Sequence, residues 1–550
     1  MRQQDGFAYM NHWLSQPINR RRFLQHTAWL GGLVALSPGH GILPGLATAA
    51  SPEATPKAGG TITIGMEANP DTLDPHRTST LLAIKIHNNI YNGILKITYD
   101  GKEVRFKPDL AATWDIKDET IHTFEFHRGV TFHNGDALTA EAVKWSLERV
   151  ADKATKSPHA WKLEAVETLD VLDKYTLRMR LKHPDPFLPV ALTGATGRAG
   201  TIVSKSAIEA TGEAYGHQPV GTGPFKFVEW IDNSHVTLER NPNYFESDAS
   251  GVKLPYLDRI HIKVISEDSS RIAAMETGEV DGLESAPYQF VSRLRTNDKL
   301  HVYTQVGGNY AHLTMNCSKP PFDNKKLRQA VAYAIQREAY IKAVYFGEAI
   351  PAHGAISPPM SDFWDAEFSS GTHGQYYDVE KAKALVQASG YDGREITYVV
   401  ASWGNGPRRA QVLQAMLSAV GINTKLALNE SASWRKLTRS GEFELYDGNW
   451  SADLDPDETL YPEWHSTGEW NRGKYNNPEF DAAVEAARAT IDVAKRRAAY
   501  AKAQRILAED PPCAFIAHYN EFKIFAKYVK NFNPIPADLI DMHEVWLDRA

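Results

Sequence analysis

The sequence predicts an α/β protein of at least two domains, and three observations lead to this prediction. The chain has 550 residues, too many for one hydrophobic core. Segments with the two-residue period of strands are mixed with segments of helical period, and no internal repeat relates them. No low-complexity linker marks a boundary, which is typical of a chain that crosses between two lobes and later returns.

The strand predictions follow from alternating apolar residues and turn signals. Residues 61–65 alternate as Thr-Ile-Thr-Ile, and residues 121–126 show a similar pattern. Residues 225–230 and 235–238 are expected to pair as a hairpin around the turn at 232–233.

The helix predictions follow from capping residues and apolar spacing. Thr139 and Asp323 are each expected to cap a helix, and an Ala-rich helix is expected from about residue 478 to 507, stopped by the prolines at 511–512. The apolar positions that define the two capped helices are Val143, Leu147 and Val150 in the first and Leu327, Val331, Ile335 and Ile341 in the second.

Charge and composition narrow the functional classes. The net charge is −7, and it becomes −10 without residues 1–49, which contain four Arg and one Asp. This acidic balance argues against nucleic acid or an anionic membrane surface as the main partner. Cys317 and Cys513 allow at most one disulfide, and two buried free thiols are the alternative.

The N-terminal segment has the layout of an export signal. Arg20, Arg21 and Arg22 precede Phe-Leu, a mildly apolar run follows from residue 27 to 46, and Ala-Thr-Ala at 47–49 offers a cleavage site. The arginines indicate the twin-arginine pathway, and an ordinary Sec signal is the alternative. We therefore expect a periplasmic or secreted protein that is cleaved near Ala49.

Five groups of motifs, in a fixed order over residues 72–338, resemble the peptide/nickel/opine class of solute-binding proteins of ABC importers, known as solute-binding protein family 5. The motifs are TLDPH (72–76); VTFHNGDALTAEAV (130–143) with SLER (146–149); VGTGPF (220–225) with ERNPNYF (239–245); PYLD (255–258), SR (270–271) and GEVD (278–281); and Asn316 with PPFD (320–323), RQA (328–330) and AIQRE (334–338). Most of these residues are expected to be architectural, with Gly135, Gly221 and Gly223 at backbone positions that a Cβ would crowd.

The resemblance implies a two-lobed periplasmic-binding-protein-like fold of class II, with mixed sheets flanked by helices. Lobe I would comprise residues 58–309 and the returning tail 511–550, with an extra subdomain at about 95–220. Lobe II would comprise residues 310–510. Ligand binding in the cleft would favour a closed form that the transporter recognises.

The resemblance also implies ligand-binding residues. In peptide-binding relatives, a Trp followed three residues later by an Asp supplies the carboxylate that pairs with the ligand's ammonium group. Trp450 and Asp453, preceded by Asn449, match this pattern within NWSADLDP (449–456). Trp450 would form an apolar wall that weakly attracts cations. The alternative is that Asp453 caps the following turn.

Other residues are weaker candidates for the cleft. Glu67 and Asn69 precede the TLDPH motif, and Trp403 lies on an expected loop before a helix. Dipeptide binders of this family carry an Arg near Trp403, but here the arginines are displaced to Arg408 and Arg409. This departure makes longer peptides or other ligands, such as opines, reasonable alternatives to a strict dipeptide.

The expected partners are a small-molecule or peptide ligand and the permease and ATPase of an inner-membrane ABC transporter, with no nucleic acid. We expect a monomer with no cofactor, no catalytic residue and no metal ligand. Alternative ligands are an opine, a sugar conjugate, or a nickel or haem chelate. An exported hydrolase that uses Asp453 and Asp455 is a remote alternative. A calcium loop is disfavoured, because Glu458 and Trp464 stand where Gly and Glu are needed.

Overall fold

The structure is a computed structural model that describes residues 55–99, 104–194, 196–365, 368, 374–451 and 454–549. The predicted export signal, residues 1–49, lies outside the described residues. Across the described ranges, no helix combines the length and apolarity required to cross a membrane.

Strands and helices are mixed along the chain, as the sequence predicts. The strands are β1 (Thr61–Met66), β2 (Leu95–Tyr99), β3 (Val104–Pro108), β4 (Ala111–Lys117), β5 (Ile121–Phe126), β6 (Val166–Asp173), β7 (Thr176–Leu181), β8 (Phe225–Ile231), β9 (His235–Arg240), β10 (Arg259–Val264), β11 (Gly282–Leu283), β12 (Leu300–Val306), β13 (Asn309–Met315), β14 (Ala349–Pro351), β15 (Ile396–Ala401), β16 (Thr424–Asn429), β17 (Leu445–Ser451), β18 (Cys513–Ala526), β19 (Val529–Lys530) and β20 (Trp546–Leu547). The helices are α1 (Leu81–Ile90), α2 (Ala140–Ala151), α3 (Leu188–Ala191), α4 (Lys205–Thr211), α5 (Asp268–Thr277), α6 (Tyr288–Arg295), α7 (Lys325–Ala334), α8 (Arg337–Tyr345), α9 (Val379–Ser389), α10 (Gly406–Ser418), α11 (Ser431–Ser440), α12 (Pro456–Trp464), α13 (Pro478–Arg488) and α14 (Val493–Glu509), with 3₁₀ turns at Ala160–Leu163 and Gly212–His217.

The long strand β18 joins two groups of strands into one mixed sheet. Its first half pairs with β13 and β14, and its second half pairs with β11 and β12. The order of the main path is β16-β15-β17-β13-β18-β11-β1-β10-β9-β8. Because β12 and β13 are consecutive and both pair with β18, the chain crosses between the two groups twice, side by side. This is the paired crossing of a two-lobed fold.

Each group of strands has its own hydrophobic core. One core contains Ile62, Ile260 and Ile524 from β1, β10 and β18, and a second contains Leu313 and Val400 from β13 and β15. A separate sheet in the order β4-β5-β7-β6 packs on α2 and forms a third core. A fourth core lies where α12, α13 and α14 meet. Separate cores on either side of the crossing allow the halves to move as rigid bodies.

Several local predictions are confirmed. Thr139 Oγ1 accepts a hydrogen bond from the backbone N–H of Ala142 at the start of α2. The hairpin β8–β9 forms around Asn233, which has a positive φ of 58°. Gly221 is required by packing, since a Cβ there would lie 2.1 Å from the carbonyl oxygen of Ile90. Gly135 is different, because open space surrounds it and its φ of +92° is what favours glycine.

Two helix predictions are wrong in detail. The cap of α7 is Asn324 rather than Asp323, and α7 ends before Ile335, so Ile341 belongs to the next helix. The Ala-rich stretch is two helices, because Asp492 accepts a hydrogen bond from the N–H of Lys495 and starts α14 anew. Helical periodicity continues across such a break, so the sequence pattern does not reveal it.

The two cysteines are free thiols. Burial raises the pKa of Cys317 to about 12 and raises the pKa of Cys513 as well, so both remain protonated. The disulfide that the sequence left open is therefore not formed.

Candidate functional site

A cavity of about 230 Å³ lies between the two lobes. Its walls come from distant parts of the chain, which the fold brings together across the crossing strands. The lining residues are Ser79, Leu81, Pro158, His159, Trp161, Lys162 and Arg198 from the N-terminal side and Asn449, Trp450, Ser451, Glu458, Pro462 and Trp470 from the other side.

Strand β17 carries two of the predicted site residues to the cavity. It pairs antiparallel with β13, which places Asn449 opposite Ala311 and Trp450 opposite Tyr310 at the end of the strand. The Trp450 ring packs edge-on against Trp470, with 6.1 Å between ring centroids. The sequence therefore located one wall of the cavity, and ligand contact by these residues stays a prediction.

The side chain of Asn449 is held by a buried ion pair. Arg409 Nε lies 2.7 Å from Asp447 Oδ2, and Arg409 Nη1 donates to the Asn449 side-chain oxygen at 3.2 Å when the Asn449 amide donates to the carbonyl of Gly448. Arg408 lies with its guanidinium 4.8 Å from the ring centroid of Phe346. Arg409 thus positions Asn449. Because its charge is already paired with Asp447, Arg409 is disfavoured as the partner of a ligand carboxylate.

Asp453 lies outside the described residues, but the acidic residues that follow it are described. Asp455 caps α12 by accepting from the N–H of Asp457, and it pairs with Arg496 through distances of 2.8 and 3.0 Å. Asp457 lies 3.1 Å from Arg488 Nε, and burial raises its pKa to about 7. Asp455 and Asp457 are therefore engaged in buried contacts that fix α12 to its neighbours.

The opposite wall comes from the 3₁₀ turn Ala160–Leu163 and the segment near Arg198. Burial lowers the pKa of His159 well below its usual range, so His159 is neutral, and its Nε2 lies 2.8 Å from the Thr78 carbonyl. Lys162 Nζ lies 3.1 Å from Glu458 Oε2 across the cavity. The sequence did not single out Trp161, Lys162 or Arg198, because they belong to none of the motifs and show no distinctive spacing.

Glu67, Asn69 and Trp403 do not line this cavity. Glu67 follows β1 with its side chain 54% exposed, and partial desolvation, followed by repulsion from Glu284, raises its pKa. Asn69 exchanges two hydrogen bonds of 3.1 Å with Asn233 and so holds the β8–β9 turn. Trp403 packs edge-on against Trp434 at 5.8 Å on the surface of lobe II. Their role in ligand binding remains a prediction.

Within the described ranges, no group of three or more His, Cys, Asp or Glu side chains is placed to hold a metal ion.

The protein has two lobes, a chain that crosses between them twice and a cavity in the cleft. These features define a solute-binding protein of the periplasmic type. A family model described as bacterial extracellular solute-binding proteins, family 5 Middle, matches residues 105–471, and the chain belongs to this family.

Known proteins and solved structures resemble the chain over most of its length. Di/tripeptide-binding protein 2 of Pseudomonas aeruginosa is 28% identical over 542 residues, covering 92% of this chain and 98% of that protein. The glutathione-binding protein GsiB of Pectobacterium atrosepticum is 26% identical over 487 residues, covering 86% and 91%. The periplasmic binding protein DppA of Helicobacter pylori, solved with the peptide STSA, has a TM-score of 0.79 at 26% identity, covering 90% and 99%.

Proposed function

We propose that this solute-binding protein captures a short peptide or peptide-like solute and delivers it to the permease and ATPase of an inner-membrane ABC importer. The observation that carries the proposal is the interlobe cavity walled by Asn449 and Trp450. The names of the three similar proteins described above point the same way, since they bind di- and tripeptides, glutathione or the peptide STSA. The protein acts by binding and release, without catalysis.

The size of the cavity favours a small ligand. Its volume of about 230 Å³ is below the range of about 300–1,000 Å³ that is typical for drug-sized ligands. We infer a short ligand rather than a long peptide.

The acidic residue next to the cavity wall favours a ligand with an ammonium group. Asp453 follows the wall formed by Asn449 and Trp450 in the sequence, and we assign it the ligand's ammonium group, because a carboxylate in a closed cleft selects a cation.

The lobe boundaries and the export route are part of the same proposal. We place lobe I at residues 58–309 and 511–550, with its subdomain at about 95–220, and lobe II at 310–510. The separate cores support this division except at the start of the tail, where residues 513–517 of β18 pack in the cores of lobe II. We propose twin-arginine export, cleavage near Ala49 and a monomer in the periplasm.

Mass spectrometry of ligand that co-purifies with the protein tests the proposal most directly. Calorimetry would then compare dipeptides, tripeptides and glutathione with an opine, a sugar conjugate, a nickel chelate and haem. Exclusive binding of one of the last four would reject the peptide assignment.

The role of Asp453 is tested by substitution. We expect Asp453→Asn to reduce the affinity for amine-bearing ligands by about 2–5 kcal/mol with the fold intact, because the ammonium group loses its counter-charge in the closed cleft. Asp232→Asn, in the exposed β8–β9 turn, is the matched control. Unchanged affinity of Asp453→Asn for the natural ligand would remove Asp453 from the site.

A further inference from the structure

An arginine of lobe II, Arg472, lies between two indole rings beside the interlobe cavity. Its guanidinium lies 5.1 Å from the ring centroid of Trp470 and 5.7 Å from that of Trp434. Trp470 lines the cavity and packs against Trp450, which lines it as well. Arg472 therefore adjoins a ring of the same cavity wall that precedes the predicted ammonium site at Asp453.

The positive charge of Arg472 forms no ion pair within the described ranges. A guanidinium carries five N–H donors. The hydrogen bond that Arg472 makes is from Nη1 to Thr438 Oγ1 at 3.4 Å, although the side chain is half-buried. By contrast, Arg409 of the same lobe is held 2.7 Å from Asp447. Arg472 thus keeps donors that its own lobe does not use.

The ionisable groups that are coupled electrostatically to Arg472 do not supply a negative charge near pH 7. Burial raises the pKa of Glu463 to about 8, even though the Arg472 charge opposes this shift. Burial, followed by the charge of Arg472, lowers the pKa of His312 to about 3. Burial also raises the pKa of Tyr446 above its ordinary value. These groups are therefore mainly uncharged, and an anion from outside the lobe would be the counter-charge of Arg472.

The arrangement of the rings suits a carboxylate. Stacking on indole rings restricts the plane of a guanidinium and leaves the N–H groups on its edge free to donate. Such a planar set of donors matches the two oxygens of a carboxylate. A second guanidinium, that of Arg439, lies 5.6 Å from the Trp470 centroid and adds positive charge on this side of the cavity.

We propose that Arg472 binds the carboxylate end of the ligand, so that lobe II recognises both ends of a zwitterion, with Asp453 at the ammonium group. This inference rests on the proposed function. It assigns the anionic subsite to a residue that belongs to none of the sequence motifs, and it replaces Arg409, whose charge is already paired with Asp447.

The first test is calorimetry with dialanine and dialanine amide, which differ in the carboxyl end alone. We expect the wild type to bind dialanine about tenfold or more tightly than the amide, because a hydrogen bond between charged groups contributes that much. Arg472→Met should remove this preference, and Arg472→Lys should keep part of it, since lysine retains the charge without the planar set of donors. Arg435→Met, which removes one positive charge from the exposed surface of α11, is the matched control and should keep the full preference.

A merely structural role of Arg472 would weaken the binding of dialanine and of its amide equally. An undiminished preference in Arg472→Met, or a wild type that does not distinguish the two peptides, would therefore overturn the proposal. Urea unfolding shows whether each variant is folded. If Arg472→Met is unfolded or binds neither peptide, Arg472→Lys decides, and the full wild-type preference in that variant would count against the proposal.

The second test separates the anionic subsite from the peptide assignment. If the wild type binds neither peptide, the peptide assignment fails, and a titration with acetate at constant ionic strength, followed by tryptophan fluorescence, decides the role of Arg472. A saturable response of the wild type that Arg472→Met lacks would support the subsite. The same response in both proteins, or none in the wild type, would overturn it.

Discussion

Glu463 on α12 provides the sharpest prediction about stability, because it is a buried carboxyl group whose surroundings suit the protonated form. It is 3% exposed, and burial raises its pKa to about 8. Tyr310 Oη donates to one of its oxygens, and the other lies 3.4 Å from His312 Nε2. Burial lowers the pKa of His312 to about 3, so this imidazole is neutral. In the tautomer whose Nδ1–H donates to Thr314 Oγ1, Nε2 carries no proton and can accept the proton of Glu463.

The sign of the pH dependence follows from this raised pKa. The folded state keeps the proton of Glu463 up to about pH 8, whereas the unfolded chain loses it near pH 4.5. The stabilisation is therefore complete below pH 4.5 and is lost as the pH rises through 8. At about 1.4 kcal/mol per pH unit, the loss is at most about 5 kcal/mol, and structural relaxation reduces it, so we expect about 2–5 kcal/mol.

Glu463→Gln isolates this contribution, since the amide donates and accepts as the protonated acid does. We expect equal stability of variant and wild type near pH 4.5 and greater stability of the variant at pH 9, measured by urea unfolding followed by tryptophan fluorescence. Glu380→Gln, which changes a side chain that is 80% exposed, is the control. If the difference between Glu463→Gln and the wild type does not change between pH 4.5 and 9, the reasoning is refuted.

Two further predictions concern folding and export. Arg496→Met leaves Asp455 buried without its counter-charge. We therefore expect this variant to lower the free energy of unfolding by about 3–5 kcal/mol. A loss below about 1 kcal/mol in urea unfolding would contradict this expectation. Arg20→Lys/Arg21→Lys is expected to abolish export through the twin-arginine pathway, and cell fractionation would show the uncleaved precursor in the cytoplasm. Normal export of that variant would favour a Sec signal.

Local patterns predicted the elements that depend only on neighbouring residues. The cap at Thr139 and the hairpin β8–β9 were predictable because a side-chain oxygen or a short turn acts within a few residues of itself. Asp323 and Asn324 are equally good caps by type, so the choice between them depends on tertiary packing. The break before α14 was hidden because alanine permits helix on both sides of it.

The candidate site was predictable on one wall only. Asn449 and Trp450 were identified because they stand beside Asp453 in a recognisable segment, and the structure places both at the cavity. Trp161 and Lys162 could not be found in this way, since they reach the cavity only after the subdomain packs against the rest of the molecule. A residue whose role depends on docking between distant segments leaves no periodic signal in its own segment.

The two walls of the cavity are held in place by different kinds of contact. On lobe II, Asp447 and Arg409 hold Asn449, and Asp455 is paired with Arg496, so the flanks of the predicted ammonium site are fixed by buried ion pairs within one lobe. These contacts lie within one lobe and do not span the cleft. The pair between Lys162 and Glu458 instead joins the two walls of the cavity. Substitutions on β17 should therefore alter which ligand is chosen.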